Sequence, residues 1–154
     1  MLVEEIMTKK RDLVWCTPDT LLGKVAALMC DRDCGCIPVV ASKTDHKVVG
    51  VITDRDIVCR ALARGKNPLS TTAADCMSNT PITVGIDTPV KECCTIMATR
   101  HVRRVVIVDE EGECCGIVAL SDLAGNITNC ELAEVAHGIT MRATESTGPA
   151  VMNL

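Results

Sequence analysis

The sequence predicts an α/β (α+β) fold built from two tandem β-α-β-β-α repeats, and three observations support this prediction. Similar residues recur 66 to 68 positions apart along the 154-residue chain. Each copy alternates short β-branched segments with helical apolar patterns. Hydrophobic residues make up 47% of the composition, which is enough for a packed core and excludes a largely disordered chain.

The repeat becomes visible when the two halves are aligned residue by residue. Asp19 and Asp87, which lie 68 positions apart, each begin a helical pattern. The strand-like run 37–40 aligns with 105–108 at the same offset, whereas Gly50 aligns with Gly116 at an offset of 66. The first copy therefore carries two additional residues, which the alignment places in a turn at 42–46.

The same order of elements is predicted in both copies. In the first copy we expect a strand at 12–16, a helix capped by Asp19, strands at 37–41 and 48–53, and a helix at 54–64. In the second we expect a strand at 81–84, a helix that begins at Asp87 and Pro89, strands at 105–109 and 114–120, and a final helix. Repeat 1 is thus expected at 1–70 and repeat 2 at 71–137. Residues 138–154, which include the turn-like run 146–149, are predicted to form a flexible tail.

Composition and charge exclude several classes of function. The net charge is -4 at pH 7 and the pI is about 5.3, so no overall basic field attracts nucleic acid. Trp15 is the only aromatic residue, so a base-stacking platform for single strands is not expected. No apolar stretch approaches the roughly 20 residues that span a bilayer, and the N-terminus lacks the pattern of a secretory signal. We therefore expect a cytoplasmic protein with neither a membrane nor a nucleic acid as partner.

The eleven cysteines are predicted to be reduced, structural residues. Their number is odd, no export signal is evident, and the cytosol keeps thiols reduced. Most of them align with an aliphatic residue in the other copy, which favours a role as small core hydrophobes. The alternative is a metal or redox site at Cys30, Cys34 and Cys36, but this run lacks a second ligand pair at zinc spacing. Cys36 aligns with Arg104 and is expected to be the most exposed thiol.

Short motifs in both copies carry a family resemblance. The first copy reads VGVITDRDI at 49–57, and the second reads RRVVIVD at 103–109 and GIVALSDL at 116–123. These segments resemble the cystathionine β-synthase (CBS) domain, and the second half is similar to a repeat in the γ subunit of AMP-activated kinase. The resemblance covers residues 3–124 and rests on two copies in register, since each motif alone is short.

The resemblance implies a Bateman module, in which two CBS repeats pack with pseudo-two-fold symmetry and form two clefts between them. Many members bind AMP, ADP, ATP or S-adenosylmethionine in these clefts, and the modules often form homodimers. Most modules regulate a fused enzyme or channel, and no fused domain is evident here. The chain is therefore expected to act as a stand-alone regulator of a separate, unidentified protein, with an adenosyl molecule as regulatory ligand and no required cofactor.

The resemblance implies that Thr53, Asp56 and Asp122 bind the ribose. A carboxylate can accept hydrogen bonds from both ribose hydroxyls. The alternative is structural, because Thr-x-x-Asp at a helix start also forms a capping box. Ala119 stands in the second copy where Thr53 stands in the first. The cleft at Thr53 and Asp56 is therefore expected to be intact, and the cleft at Asp122 to be weaker or altered.

Phosphate and adenine binding are also assigned by the resemblance. The phosphate candidates are Arg103, Arg104, Ser121, His101 and Arg55. Arginine suits bidentate phosphate recognition, although a solvated basic turn is the alternative. The adenine candidates are Val14, Trp15, Cys16, Ile37 and Pro38 in the first copy, and Ile82, Thr83, Val105 and Val106 in the second. Core packing is the alternative for the aliphatic residues, and Trp15 either stacks on the base or covers the core.

An enzyme is not expected, because the sequence contains no catalytic constellation. It has no G-x-S-x-G, Walker A or G-x-G-x-x-G motif, and its three histidines show no motif spacing. The first hypothesis is an adenine-nucleotide sensor that responds by shifting between two states. The alternatives are a structural or dimerisation module with empty clefts, and a thiol-based metal or redox protein.

Overall fold

Helices and strands follow each other in the order that the repeat predicts. The computed structural model describes residues 1–145, with side chains up to Met141. In chain order the elements are α1 (Val3–Ile6), β1 (Thr8–Lys9), α2 (Leu22–Asp31), β2 (Cys36–Val40), β3 (Val48–Thr53), α3 (Asp54–Asp56), β4 (Thr83–Gly85), α4 (Val90–Arg100), β5 (Arg104–Val108), β6 (Cys114–Ala119), α5 (Leu120–Ala124) and α6 (Asn129–Glu145). This order confirms the predicted mixed α/β fold of two tandem repeats.

The start of the first repeat differs from its prediction. Helix α2 begins at Leu22 rather than at an Asp19 cap, because the Asp19 carboxylate accepts a hydrogen bond from the Thr17 hydroxyl within the preceding turn. The strand predicted at 12–16 is reduced to one parallel bridge between Cys16 and Val39. Its counterpart in the second repeat is the short strand β4, which pairs in parallel with β5.

The segment predicted as a helix at 54–64 is helical but irregular. After α3 it continues as a π-helical turn (Ile57–Ala61) and then a 3₁₀ turn (Leu62–Arg64). Gly65 follows with a φ of 70°, a left-handed conformation that ends the segment. Ile57 and Ala61 both face the core, where each is at most 7% exposed, because residues four positions apart lie on the same face of a helical segment.

Residues 138–145, which were predicted to belong to a flexible tail, form the end of helix α6. This helix runs along α4, and its Val135 and Ile139 are buried in the core of the second repeat. Gly138 allows close approach, since a Cβ built there would lie 2.8 Å from the Cβ of Ala98. The apolar positions of α6 are too sparse to stand out in the sequence. The rest of the predicted tail, 146–154, lies outside the described residues. No helix of the described part has both the length and the apolar character to cross a bilayer.

Each repeat contains one antiparallel strand pair. In the first repeat β2 pairs with β3, and Ile37 faces Ile52. In the second repeat β5 pairs with β6, and Val105 faces Val118. Strands β1 and β4 flank the second pair to give a four-stranded sheet in the order β1-β6-β5-β4. Both pairs carry an irregularity near the end of their first strand, which is a further sign of their common architecture.

The repeats exchange their N-terminal segments. The N-terminal segment of the first repeat packs on the second, where Thr8 pairs with Ile117 and Val3 is buried. The N-terminal segment of the second repeat packs on the first, where Ser78 bridges to Val51 and Cys76 is buried. Each core therefore depends on the N-terminal segment of the other repeat.

A third apolar cluster joins the two strand pairs. Its buried members are Cys36, Val40, Val106, Cys114 and Ile117. Trp15 packs against this cluster and lies beside the His46 ring, with the ring centroids 4.8 Å apart. Because the cluster draws on strands of both repeats, the elements around it have a fixed relation to each other.

Candidate functional site

A cavity of about 270 Å³ lies between the repeats, and we call it the Asp122 cavity. The first repeat contributes the segments 12–14 and 32–36, and the second contributes the start of β5, the end of β6 and the start of α5. Segment 32–36 is the turn that leads from α2 into β2. Its equivalent leads from α4 into β5, and Asp33 and His101 occupy matching left-handed positions with φ of 48° and 55°.

Asp122 lines the cavity and has one uncommitted carboxylate oxygen. Its Oδ2 atom accepts a hydrogen bond from the backbone N–H of Ala119 at 2.7 Å, which fixes the start of α5. Its Oδ1 atom has no hydrogen bond to any residue in the described part of the chain. The neighbouring i+4 residue, Asn126, donates to the backbone carbonyl of Asp122 and leaves the carboxylate alone. One oxygen is therefore free to accept from a bound hydroxyl.

Arg104 and Ser121 line the same cavity as Asp122. Arg104 begins β5 and is paired in register with Ala119. Its guanidinium group makes no hydrogen bond or ion pair with the described residues, and its side chain is exposed. The Ser121 hydroxyl is likewise unbonded within residues 1–141. The cavity thus brings a carboxylate, an uncommitted cation and a hydroxyl together.

Thr53 and Asp56 form a closed capping box. The Asp56 Oδ2 atom accepts hydrogen bonds from the backbone N–H and the hydroxyl of Thr53, both at 2.9 Å. The Asp56 Oδ1 atom lies 3.5 Å from Nε of Arg60, the i+4 residue on the same helical segment. Both carboxylate oxygens of Asp56 therefore have partners within the protein, whereas Asp122 has one free oxygen. The sequence leads us to expect the opposite, with the intact cleft at Asp56 and the weaker cleft at Asp122.

The other phosphate candidates take different positions. The His101 ring lies against α6, where its Nδ1 atom donates to the backbone carbonyl of Gly138 at 2.8 Å. Arg103 precedes β5 and Arg55 lies in α3, and both residues are exposed and do not line the Asp122 cavity. Of the five candidates, the structure brings Arg104 and Ser121 together.

The adenine candidates divide between cavity and core. Val14 lines the Asp122 cavity, beside Leu13. The residues that are at most 3% exposed and packed within the apolar clusters are Cys16, Ile37, Val105 and Val106. Pro38 is buried in β2, Ile82 and Trp15 are half-buried, and Thr83 is exposed. The sequence leaves core packing open as the alternative to adenine binding. For these four clustered residues the structure shows core packing.

Sequence reasoning missed several residues of the cavity wall. These are Thr8, Asp12, Leu13, Arg32, Asp33, Cys34, Gly35, Cys36 and Ile117. Most belong to the first repeat, whereas the clearest motifs lie in the second. The internal alignment carries a usable signal, because residues 32–36 match the basic segment 100–104 at an offset of 68.

The prediction that Cys36 is the most exposed thiol is wrong. Cys36 is 7% exposed, whereas Cys30, Cys59 and Cys130 are exposed. Its partner in the alignment, Arg104, reaches solvent because its side chain is long, and the short cysteine at the same place stays in the cluster between the repeats. Burial raises the pKa of the Cys36 thiol to about 12, so the thiol lines the cavity as a neutral group.

The cysteines do not assemble into a metal site among the described residues. No group of three or more His, Cys, Asp or Glu side chains there is arranged to hold a metal ion. Burial also raises the pKa of the Cys34 thiol, the second sulfur on the cavity wall. Thiolate ligands require deprotonation, which this environment opposes.

A larger groove of about 530 Å³ lies elsewhere, between α4 and the first half of α6. Its charged residues are Lys91, Glu131 and Glu134, and it contains no arginine. The groove lacks the carboxylate, guanidinium and hydroxyl combination found in the smaller cavity. Chemistry rather than volume therefore identifies the Asp122 cavity as the candidate site.

Comparison with known sequences agrees with the predicted resemblance. The profile of the CBS domain family matches residues 3–62 and 73–129. The uncharacterized protein YlbB of Bacillus subtilis is 35% identical over 122 residues, which cover 79% of this chain and 79% of that protein. The uncharacterized protein MK0525 of Methanopyrus kandleri is 34% identical over 114 residues, 74% of this chain. The match spans 57% of the length of MK0525.

Solved structures share the same architecture. The CBS domain protein PAE2072 of Pyrobaculum aerophilum, complexed with AMP, has a TM-score of 0.71 at 27% identity and covers 89% of this chain and 99% of its own. The CBS domain pair of MJ0100, in complex with 5′-methylthioadenosine and S-adenosyl-L-methionine, has a TM-score of 0.71 at 26% identity. That match covers 81% of this chain and 98% of the MJ0100 pair. Both similar proteins thus carry adenosyl ligands.

Proposed function

The chain belongs to the CBS-domain family, with two CBS domains in tandem, and from this membership we propose that it is a regulatory module that binds an adenosine-containing ligand in the Asp122 cavity. The ligand class comprises AMP, ADP, ATP and S-adenosylmethionine. The similar proteins of known structure support this class, because their ligands are AMP, 5′-methylthioadenosine and S-adenosylmethionine.

The free Oδ1 atom of Asp122 is the observation that carries the proposal. Asp122 lines a cavity that Arg104 and Ser121 also line. A ribose hydroxyl can donate to this oxygen without displacing the Ala119 N–H from Oδ2. The Arg104 guanidinium and the Ser121 hydroxyl can then meet a phosphate or carboxylate of the same ligand. Leu13 and Val14 provide the apolar surface for the adenine ring.

Regulation of a separate protein is part of this proposal. The ligand-binding residues Ser121 and Asp122 lie on α5, and α5 leads into α6, which packs on α4. A ligand that favours one position of α5 would therefore bias the position of α6, on which a partner can act. We propose no catalytic step for the chain, and we place it in the cytoplasm.

We also propose that the protein forms a homodimer. The first repeat exposes large apolar side chains along and beside its second helical segment. Val58 and Leu62 are each 53% exposed, and Leu69 is 72% exposed. In the second repeat, α6 covers the neighbouring face of α4, so the repeats present unequal surfaces. These exposed apolar side chains support the proposed homodimer, and dimerisation through them can coexist with ligand binding.

Thermal unfolding with a panel of ligands tests the proposed function. We expect a selective rise in the melting temperature with at least one of AMP, ADP, ATP and S-adenosylmethionine, and no rise with CMP as the control. A ligand at about 100 times its dissociation constant adds roughly 2.7 kcal/mol to the free energy of unfolding. An equal response to CMP would contradict a site specific for adenosine-containing ligands. No response to any adenosyl compound would contradict the proposal and favour the dimerisation module.

A further inference from the structure

The wall of the Asp122 cavity differs in charge from the equivalent segment of the other repeat. Residues 32–36 line the cavity and align with residues 100–104. Three matching places hold Arg100, His101 and Arg103 in the second repeat, and Arg32, Asp33 and Gly35 on the cavity wall. The wall therefore has one cation and one carboxylate where the second repeat has two arginines and a histidine.

Further carboxylates surround this wall. The Asp33 carboxylate makes no hydrogen bond or ion pair with the described residues, so its charge is not offset by a direct partner. Asp54 lies behind Gly35, where a Cβ would be 2.8 Å from Oδ2 of Asp54. Asp12 also lines the cavity, and its charge is partly offset by Arg11, whose Nε atom is 3.2 Å from Oδ2. The cavity offers little positive charge beyond Arg104 and Arg32.

We propose that the Asp122 cavity selects an adenosyl ligand with no more than one phosphate and discriminates against ADP and ATP. This inference rests on the proposed function. Arg104 and Ser121 can bind one phosphate with a charge-assisted hydrogen bond and a neutral one. Each further phosphate adds negative charge beside Asp33 and Asp54, and the cavity lining offers it Arg32 as the one cation besides Arg104. Electrostatic repulsion therefore opposes the longer phosphate chains.

Isothermal titration with AMP and with ATP tests the selectivity. The titrations are done in low-salt buffer with EDTA, because Mg²⁺ would neutralise part of the ATP charge. We expect the wild-type protein to bind AMP about tenfold or more tightly than ATP. Asp33→Asn removes one charge, and asparagine tolerates the left-handed backbone of this position. We expect the ratio of AMP affinity to ATP affinity to be smaller in this variant by about threefold or more.

A matched control and a third variant separate the possible results. Glu92→Gln removes an exposed carboxylate on α4, outside the cavity, and is expected to leave the ratio unchanged. ATP binding as tight as AMP binding, with both weakened by Asp122→Asn, would overturn the selectivity but keep the proposed site. No binding of any adenosyl compound, or no effect of Asp122→Asn, would instead overturn the proposed function.

Salt provides a test that does not depend on the folding of a variant. Raising NaCl from about 50 mM to about 500 mM shortens the Debye length from roughly 14 Å to roughly 4 Å. If the additional phosphates of ATP are repelled, the ratio of AMP affinity to ATP affinity falls toward one as salt rises. If they are attracted, ATP loses more affinity than AMP and the ratio moves the other way, which would contradict the proposal.

Discussion

Replacement of Gly116 by alanine is expected to lower the free energy of unfolding by about 3 kcal/mol. A Cβ at this position would lie 2.5 Å from the backbone carbonyl oxygen of Thr8 and 2.7 Å from the Met7 sulfur. The carbonyl belongs to β1, which pairs with β6 and cannot retreat without breaking that pairing. Urea denaturation of the variant and of the wild type measures the difference.

The internal repeat and a second glycine supply the comparisons for this experiment. Gly50 is the equivalent residue, and its Cβ would lie 2.7 Å from the Met77 sulfur and 2.9 Å from the Ser78 carbonyl oxygen. Gly50→Ala is therefore also expected to destabilise the protein. Gly125 has no atom within 4 Å of its added Cβ, so Gly125→Ala is the control. If Gly116→Ala unfolds like the wild type, the exchange of segments between repeats is wrong.

The stability of the protein is expected to fall steeply above pH 9. Burial raises the thiol pKa from 9.0 to about 12 for Cys16, Cys36 and Cys93, and to about 11 for Cys114. In the unfolded chain these thiols lose their protons near pH 9, whereas in the folded protein they keep them. The stabilisation is therefore complete below pH 9 and is lost as the pH rises toward 11 or 12. At pH 10 the loss is roughly 6 kcal/mol for the four thiols together, shared about equally among them.

Urea denaturation at pH 7.5, 9 and 10 in the presence of a phosphine reductant measures this loss. Cys93 aligns with Val25 in the other repeat, so Cys93→Val is the matched variant. It is expected to lose about a quarter of the pH dependence while keeping the packing volume. A free energy of unfolding that stays constant between pH 7.5 and pH 10, or an equal pH dependence in Cys93→Val and the wild type, would contradict the expected effect of the buried neutral thiols.

The paired strands of both repeats could be predicted because the sequence contains its own alignment. Strand β3 has the predicted bounds, β2 and β5 each begin and end one residue earlier than predicted, and β6 ends one residue earlier than predicted. The exchange of segments could not be predicted in this way. Strand β1 has two residues, and its partner lies more than a hundred positions along the chain. Such short, distant pairings leave no periodic pattern in a sequence.

The unequal state of the two aspartates could not be predicted from the motif alone. Thr53-x-x-Asp56 matches the family pattern better than Ala119-x-x-Asp122, yet Asp122 has the free oxygen. The difference arises one helical turn later, where Arg60 follows Asp56 and Asn126 follows Asp122. Arginine at i+4 pairs with the carboxylate, whereas the shorter asparagine bonds to the backbone. The i+4 residue is therefore the feature to examine in such repeats.

The most direct test of the central claim is the AMP affinity of Asp122→Asn, measured by isothermal titration beside the wild type and Glu92→Gln. Asparagine can still accept the Ala119 N–H, so the start of α5 is kept while the charged acceptor for the ribose is lost. The account predicts an AMP affinity about 10- to 100-fold weaker for Asp122→Asn, with Glu92→Gln unchanged. An Asp122→Asn variant that is folded and binds AMP as tightly as the wild type would contradict the account.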